Sequence, residues 1–103
     1  MKVSAMISML PLGTSLSLSP YIAACERILR DADLVVELHA QGTNVTGDYD
    51  EVFGALKRCI EKVHEMGCAR LSVLVKLGSR TDRDIDTQAM VRSVEEKLRK
   101  PSA

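Results

Sequence analysis

Leu34-Val35-Val36-Glu37-Leu38-His39-Ala40-Gln41-Gly42-Thr43-Asn44-Val45-Thr46-Gly47-Asp48 is the stretch on which the fold turns. Residues 34–41 read as a strand, Gly42 breaks it, and residues 43–46 read as a further strand antiparallel to the first, ended by Gly47. Two strands in direct succession, flanked on each side by a helical pattern, form the centre of a split β-α-β arrangement.

Working outward from that hairpin completes the order. Residues 2–10 alternate, with Val3, Ala5, Ile7 and Met9 on one side and Lys2, Ser4, Met6 and Ser8 on the other, the period of a strand with two different faces. Residues 11–18 read as a loop. Ser19 is the expected N-cap of a first helix and Pro20 its first residue, where a missing N–H costs nothing. Tyr21, Cys25, Ile28, Leu29 and Ala32 give that helix a buried stripe. Beyond the hairpin, Asp48 with Glu51 three residues on resembles a capping box. The second helix is lined by Val52, Phe53, Leu56, Cys59, Ile60 and Val63 and closed by Gly67. Residues 71–77 read as a fourth strand, 78–84 as a polar loop, and about 86–99 as a third helix with Met90, Val91, Val94 and Leu98 on one side, stopped by Pro101. The expected fold is α+β: a ferredoxin-like β-α-β-β-α-β sandwich in one domain, residues 1–103. Right-handed crossovers put two helices on one face of a four-stranded antiparallel sheet, and the C-terminal helix is extra.

Composition excludes several functions. Lys+Arg and Asp+Glu both count 14, so no net field draws nucleic acid or an anionic membrane. Tyr21, Tyr49 and Phe53 are the only aromatics, too few to stack bases along a basic groove. No run approaches the ~18 apolar residues of a membrane span. Ile22-Ala23-Ala24-Cys25 has the look of a lipoprotein cleavage box, but Pro11, Gly13 and several serines interrupt the apolar run that a signal peptide needs. Cys25, Cys59 and Cys68 are odd in number and lack metal-ligand spacing, which points to a reducing, cytoplasmic setting without a disulfide framework.

Two helices leave one sheet face uncovered. The core face takes Val3, Ala5, Ile7, Met9, Leu34, Val36, Leu38, Leu71, Val73, Val75 and Leu77. The other carries Ser4, Met6, Ser8, Val35, Glu37, His39, Asn44, Thr46, Ser72, Leu74 and Lys76. Apolar residues on that second face, and a third helix with its own stripe, predict a homo-oligomer built on this face, a sheet edge or the third helix. The alternative is that the third helix folds back over the open face of a monomer.

Motifs for catalysis are missing. There is no Gly-x-Ser-x-Gly elbow and no phosphate-cradling glycine loop. Acylphosphatases share this fold, but their arginine-bearing phosphate loop has no match in Pro11-Leu12-Gly13-Thr14-Ser15-Leu16. We therefore expect no catalytic residue, no metal and no cofactor. His64 lies off the helical stripe and reads as a solvated residue. His39 shares a strand face with Glu37 and serves either a ligand or a subunit interface. Lys76 lies on the same inferred face, as a solvated edge charge or a ligand contact. The mixed run from Arg80 to Asp86 reads as a solvated loop entering an aspartate cap.

The opening Met1-Lys2-Val3-Ser4-Ala5, the Pro11-Leu12-Gly13 turn and Ser17-Leu18-Ser19-Pro20-Tyr21-Ile22 resemble the small thiamine-binding protein family. So, more tellingly, does the stretch from Glu37-Leu38-His39 through Gly42-Thr43 and Gly47-Asp48 to Asp50-Glu51-Val52. The resemblance weakens after Leu77. It implies a ferredoxin-like fold, a homotetramer or a homodimer, and binding of thiamine or its pyrimidine part without catalysis. Thiamine is a cation with a flat aminopyrimidine, so its site needs apolar walls and a few placed polar groups. On that reading Glu37 offsets the thiazolium charge, and His39, Thr43 and Ser19 hydrogen-bond the pyrimidine. Gly42 and Gly47 either admit the ligand close to the backbone or serve turn geometry alone. Two other functions stay open: a structural or regulatory oligomer that binds a protein through its open face, and a small enzyme using Glu37 and His39 as an acid–base pair.

Overall fold

The computed structural model describes residues 1–13 and 17–101. The chain runs β1 (Lys2–Leu12), α1 (Ser19–Asp31), β2 (Leu34–His39), β3 (Gly42–Asp48), α2 (Tyr49–Glu65), β4 (Arg70–Ser79) and α3 (Thr87–Arg99). The four strands form one antiparallel sheet in the order β2-β3-β1-β4, the expected α+β ferredoxin-like arrangement.

Register confirms the two faces. Val36 pairs with Val45 and Val45 with Ala5, while Leu38 pairs with Thr43 and Thr43 with Ile7, which aligns the core-facing residues row by row. Glu37, Asn44, Met6 and Lys76 form a matching row on the other face. Against the first face pack Cys25 and Leu29 of α1 and Val52, Ala55, Leu56, Cys59 and Val63 of α2, closing one continuous core.

Element ends depart from expectation in four places. β1 runs through Pro11 and Leu12, paired with Leu71 and Arg70, where a loop was expected. Its pairing with β3 stops at Ile7, so one edge of β1 is open beside Pro11, the setting in which a strand tolerates proline. Residues 14–16 of the expected loop lie outside the described residues. α1 is capped by Leu18, whose carbonyl accepts from the Tyr21 and Ile22 N–H groups, both at 3.1 Å; Ser19 is its first residue and not its N-cap. Ala40-Gln41 makes the hairpin turn, so Gly42 opens β3 instead of breaking β2, and Gly47 lies within β3, paired with Val3 and Leu34. A Cβ at Gly42 would stand 2.6 Å from the Ile7 carbonyl oxygen, so the glycine lets β1 pass close by. Finally, β4 extends from Arg70 to Ser79, through the start of the expected loop.

Asp48 caps α2 by accepting from the Asp50 N–H at 3.1 Å. That bond, and the N-terminal ammonium 3.3 Å away, hold its carboxyl below the usual carboxylate range. Gly67 follows the helix end in the left-handed region, at φ +100°. His64 does more than face solvent: its ring Nδ1 pairs with the Cys68 carbonyl at 2.8 Å, tying the end of α2 to the approach of β4.

Ile85 is buried and lies over the open face, its Cδ1 3.9 Å from where a Cβ at Gly78 would stand. The helix that follows does not continue this cover. α3 buries none of its residues, and its stripe Met90, Val91, Val94 and Leu98 is 55–78% exposed. The projecting helix stretches the chain to 54 × 30 × 20 Å with a radius of gyration of 16.0 Å, against about 13 Å for a compact 100-residue domain.

Candidate functional site: a cavity under the hairpin turn

A cavity of about 220 Å³ opens between the helix layer and the end of the sheet, beneath the β2–β3 turn. Ile7, Met9, Leu38 and Thr43 give its floor. Leu18, Ile22, Cys25, Glu26 and Leu29 of α1 and its approach form one wall, Leu56 and Cys59 of α2 another, and His39 to Gly42 the rim. The volume falls below the roughly 300–1,000 Å³ of sites for drug-sized ligands, so it suits one ring or a compact fragment.

Glu26 is the charged group in this apolar wall. The residue is 8% exposed, and its Oε2 accepts a hydrogen bond from the Thr43 hydroxyl at 2.8 Å. Its Oε1 is buried and has no hydrogen-bond partner among the described residues. The Arg30 guanidinium, one helical turn on, approaches Oε1 only to 3.8 Å and is itself largely exposed. A buried carboxylate oxygen without a donor is costly unless something supplies one, and here the free oxygen belongs to a cavity-lining side chain. The site thus offers a hydrogen-bond acceptor with negative charge, held in place by Thr43 and surrounded by apolar walls.

The structure divides the seven residues singled out from the sequence. Thr43 enters the cavity and is bonded to its carboxylate, and Gly42 lies at the rim. His39 also lines the rim, but its ring is engaged elsewhere. Nδ1 accepts the Gln41 N–H at 3.3 Å, so Nε2 carries the proton it gives to Asn44 Oδ1 at 3.1 Å. Glu37 and Lys76 lie on the opposite sheet face, in shallow depressions shared with Asn44 and Thr87 at the start of α3. Glu37 is therefore not set beside the cavity carboxylate. Gly47 is at the far end of β3, where a Cβ would meet Leu34 Cδ2 at 2.5 Å, and Ser19 starts α1 outside the cavity lining.

Sequence reading missed Glu26. Its signal was present: Ile22, Glu26 and Leu29 follow one another at helical i, i+4, i+7 spacing, so a carboxylate interrupts an apolar stripe. Cys25 and Cys59 were read as buried hydrophobes, and both are buried, but they also line the cavity.

Comparison with known proteins places this architecture. A UPF0045 protein of Synechocystis is 43% identical over 95 residues, covering 92% of this chain and 78% of that protein. A UPF0045 protein of Eremothecium gossypii is 39% identical, covering 89% of each chain. The crystal structure of a hypothetical protein from Methanocaldococcus superposes with a TM-score of 0.85 at 30% identity, over 92% of this chain and 97% of that one. A Thermotoga maritima protein provisionally assigned to thiamine biosynthesis or salvage shares the fold, with a TM-score of 0.79 at 16% identity over 90% and 98% of the two chains. The family model described as thiamine-binding protein matches residues 5–95, and with it the hairpin, both core helices and the whole cavity: the chain belongs to the thiamine-binding protein family.

Proposed function

We propose that this protein binds thiamine, or the aminopyrimidine part of it, in the cavity beneath the hairpin turn, and releases it unchanged as an oligomeric carrier, buffer or sensor. The observation that carries this reading is the buried Glu26 Oε1, which has no hydrogen-bond donor as a partner among the described residues, in a cavity that Ser8, His39, Gln41 and Thr43 also line but whose walls are mainly apolar. An exocyclic amine on a flat heteroaromatic ring supplies such a donor, and Ile7, Ile22, Leu29 and Leu38 supply walls for the ring. The thiazolium cation is then favoured by the same carboxylate across a low-dielectric space. Family membership and the salvage assignment of the Thermotoga protein support the choice of ligand.

Self-association is part of the proposal. The apolar stripe of α3 and the exposed Val35 and Leu74 of the open sheet face lie on the side away from the cavity, so a second copy can cover them without closing the site. The three free thiols agree with a reducing, cytoplasmic setting.

Thermal unfolding with separate ligand halves tests the site. Thiamine and the free aminomethylpyrimidine should each raise the melting temperature with increasing concentration, and the free thiazole alcohol should not. A shift with the thiazole alone, or with neither half nor thiamine, would overturn the assignment. Recovery of unaltered thiamine after prolonged incubation distinguishes binding from turnover.

A further inference from the structure

Cys25 on α1 and Cys59 on α2 meet where the two helices pack together. Cys25 Sγ lies 3.9 Å from the Cys59 carbonyl oxygen, and Cys59 Sγ lies 3.6 Å from the Cys25 carbonyl oxygen. Each thiol thus lies against the other residue's backbone, so the two side chains meet across the α1–α2 contact. Both thiols are free, 3% and 1% exposed, and both line the ligand cavity. Cys68 is placed differently: it lies outside the cavity lining, and its thiol donates to the Arg70 carbonyl at 3.0 Å.

Buried cysteines are ordinarily inert. This pair differs because the cavity brings small solutes to it. Hydrogen bonding from the Cys59 thiol holds Cys25 below the ordinary thiol range. The Cys25 sulfur, and then burial, push Cys59 up, so Cys59 stays protonated.

We propose that Cys25 and Cys59 are a reversible dithiol in the wall of the ligand cavity, oxidised by hydrogen peroxide to an intramolecular disulfide in competition with the ligand. The Cys25 sulfur attacks one peroxide oxygen, the O–O bond breaks, and water leaves after taking a proton, giving a sulfenic acid. The Cys59 sulfur then attacks the Cys25 sulfur, the S–O bond breaks, and the Cys59 proton leaves with the hydroxide as a second water. The two thiols have lost two electrons to one peroxide. Peroxide fits a cavity of about 220 Å³, but not one already filled by a heteroaromatic ring. The new bond ties α1 to α2 at the residue next to Glu26, so oxidation also disturbs the carboxylate that holds the ligand. Occupancy and oxidation therefore oppose each other reciprocally. The competition rests on the ligand assignment above, whereas the dithiol itself does not.

The reduced chain is exposed to hydrogen peroxide with and without saturating thiamine, quenched, unfolded and alkylated, and its peptides are mapped by mass. The expected product is a Cys25–Cys59 crosslink lighter by two hydrogens and reversed by dithiothreitol, with Cys68 alkylated. Thiamine should slow its formation about tenfold. With Cys59→Ser, dimedone should trap Cys25 as the sulfenic acid. Three alkylated thiols after peroxide, or a crosslink through Cys68, would overturn the dithiol. Equal rates with and without thiamine would overturn the competition. Calorimetry on the reduced chain separates the two claims: no heat with thiamine removes the ligand reading and the competition with it, while the crosslink still decides the dithiol.

Discussion

A carboxylate set among Ile22, Cys25 and Leu29 is expensive to bury, and the Thr43 hydroxyl offsets only part of that cost. Thr43→Val should strand Glu26 Oε2 as well as Oε1. The expected loss is about 1–3 kcal/mol of stability by urea denaturation, and adding Glu26→Leu should recover most of it, since an apolar pair leaves nothing unsatisfied. Stability of Thr43→Val equal to wild type would mean the Thr43–Glu26 bond contributes little. The residue scale is also where the sequence was hardest to read. Thr43 stood out as a hydroxyl beside a turn, but its partner lies 17 positions earlier on another element. Glu37 and His39 attracted notice because they share a strand face, and period two does not reveal which face meets a cavity. Glu26 was one charge in a helix rich in charges, conspicuous only once its stripe is drawn and the helix is docked on the sheet.

Among the elements, types and order were legible and ends were not. Hydrophobic period separated strands from helices, while strand ends depended on neighbours: Pro11 and Gly47 read as terminators and lie inside strands because the adjoining strands continue beside them. The two glycines at the hairpin and in α2 should behave oppositely. Gly42→Ala drives a Cβ against the Ile7 carbonyl, a backbone atom that cannot yield, and should cost about 1–3 kcal/mol. Gly54→Ala meets only the mobile end of Arg58 at 3.5 Å and should stabilise α2 by about 0.5–1 kcal/mol. Equal effects in denaturant titrations would contradict this account of the hairpin. The α2 cap predicts a pH dependence as well. The Asp48 carboxyl is depressed in the folded chain, so its contribution is present above the ordinary carboxylate range and lost as pH falls through the lower folded value. Asp48→Asn should therefore melt below wild type at neutral pH, with the gap closing in acid. A gap that widened in acid would reverse the sign argued here.

For the molecule as a whole, the apolar inventory implied more surface than one protomer covers, and the structure locates the excess on α3 and the open sheet face. Ile85 is seated there, but Val94 and Leu98 are not covered. The wild-type chain is expected to scatter light as a multiple of its 11.3 kDa mass. Val94→Asp with Leu98→Asp should reduce it to the protomer, with far-ultraviolet dichroism retained. A wild-type monomer would return those side chains to solvent and remove the oligomer from the proposal. Subunit arrangement was beyond the sequence, because an exposed stripe on one chain does not say which surface of another receives it.

The central claim is that a buried cavity carboxylate oxygen without a donor of its own, Glu26 Oε1, marks the ligand site, and calorimetric titration of thiamine into wild type and Glu26→Gln tests it most directly. The account predicts saturable heat with one ligand per subunit for wild type, and affinity at least about tenfold weaker for Glu26→Gln, the loss of one charge-assisted hydrogen bond. Equal affinities in the two proteins, or no heat from folded wild type, would contradict it.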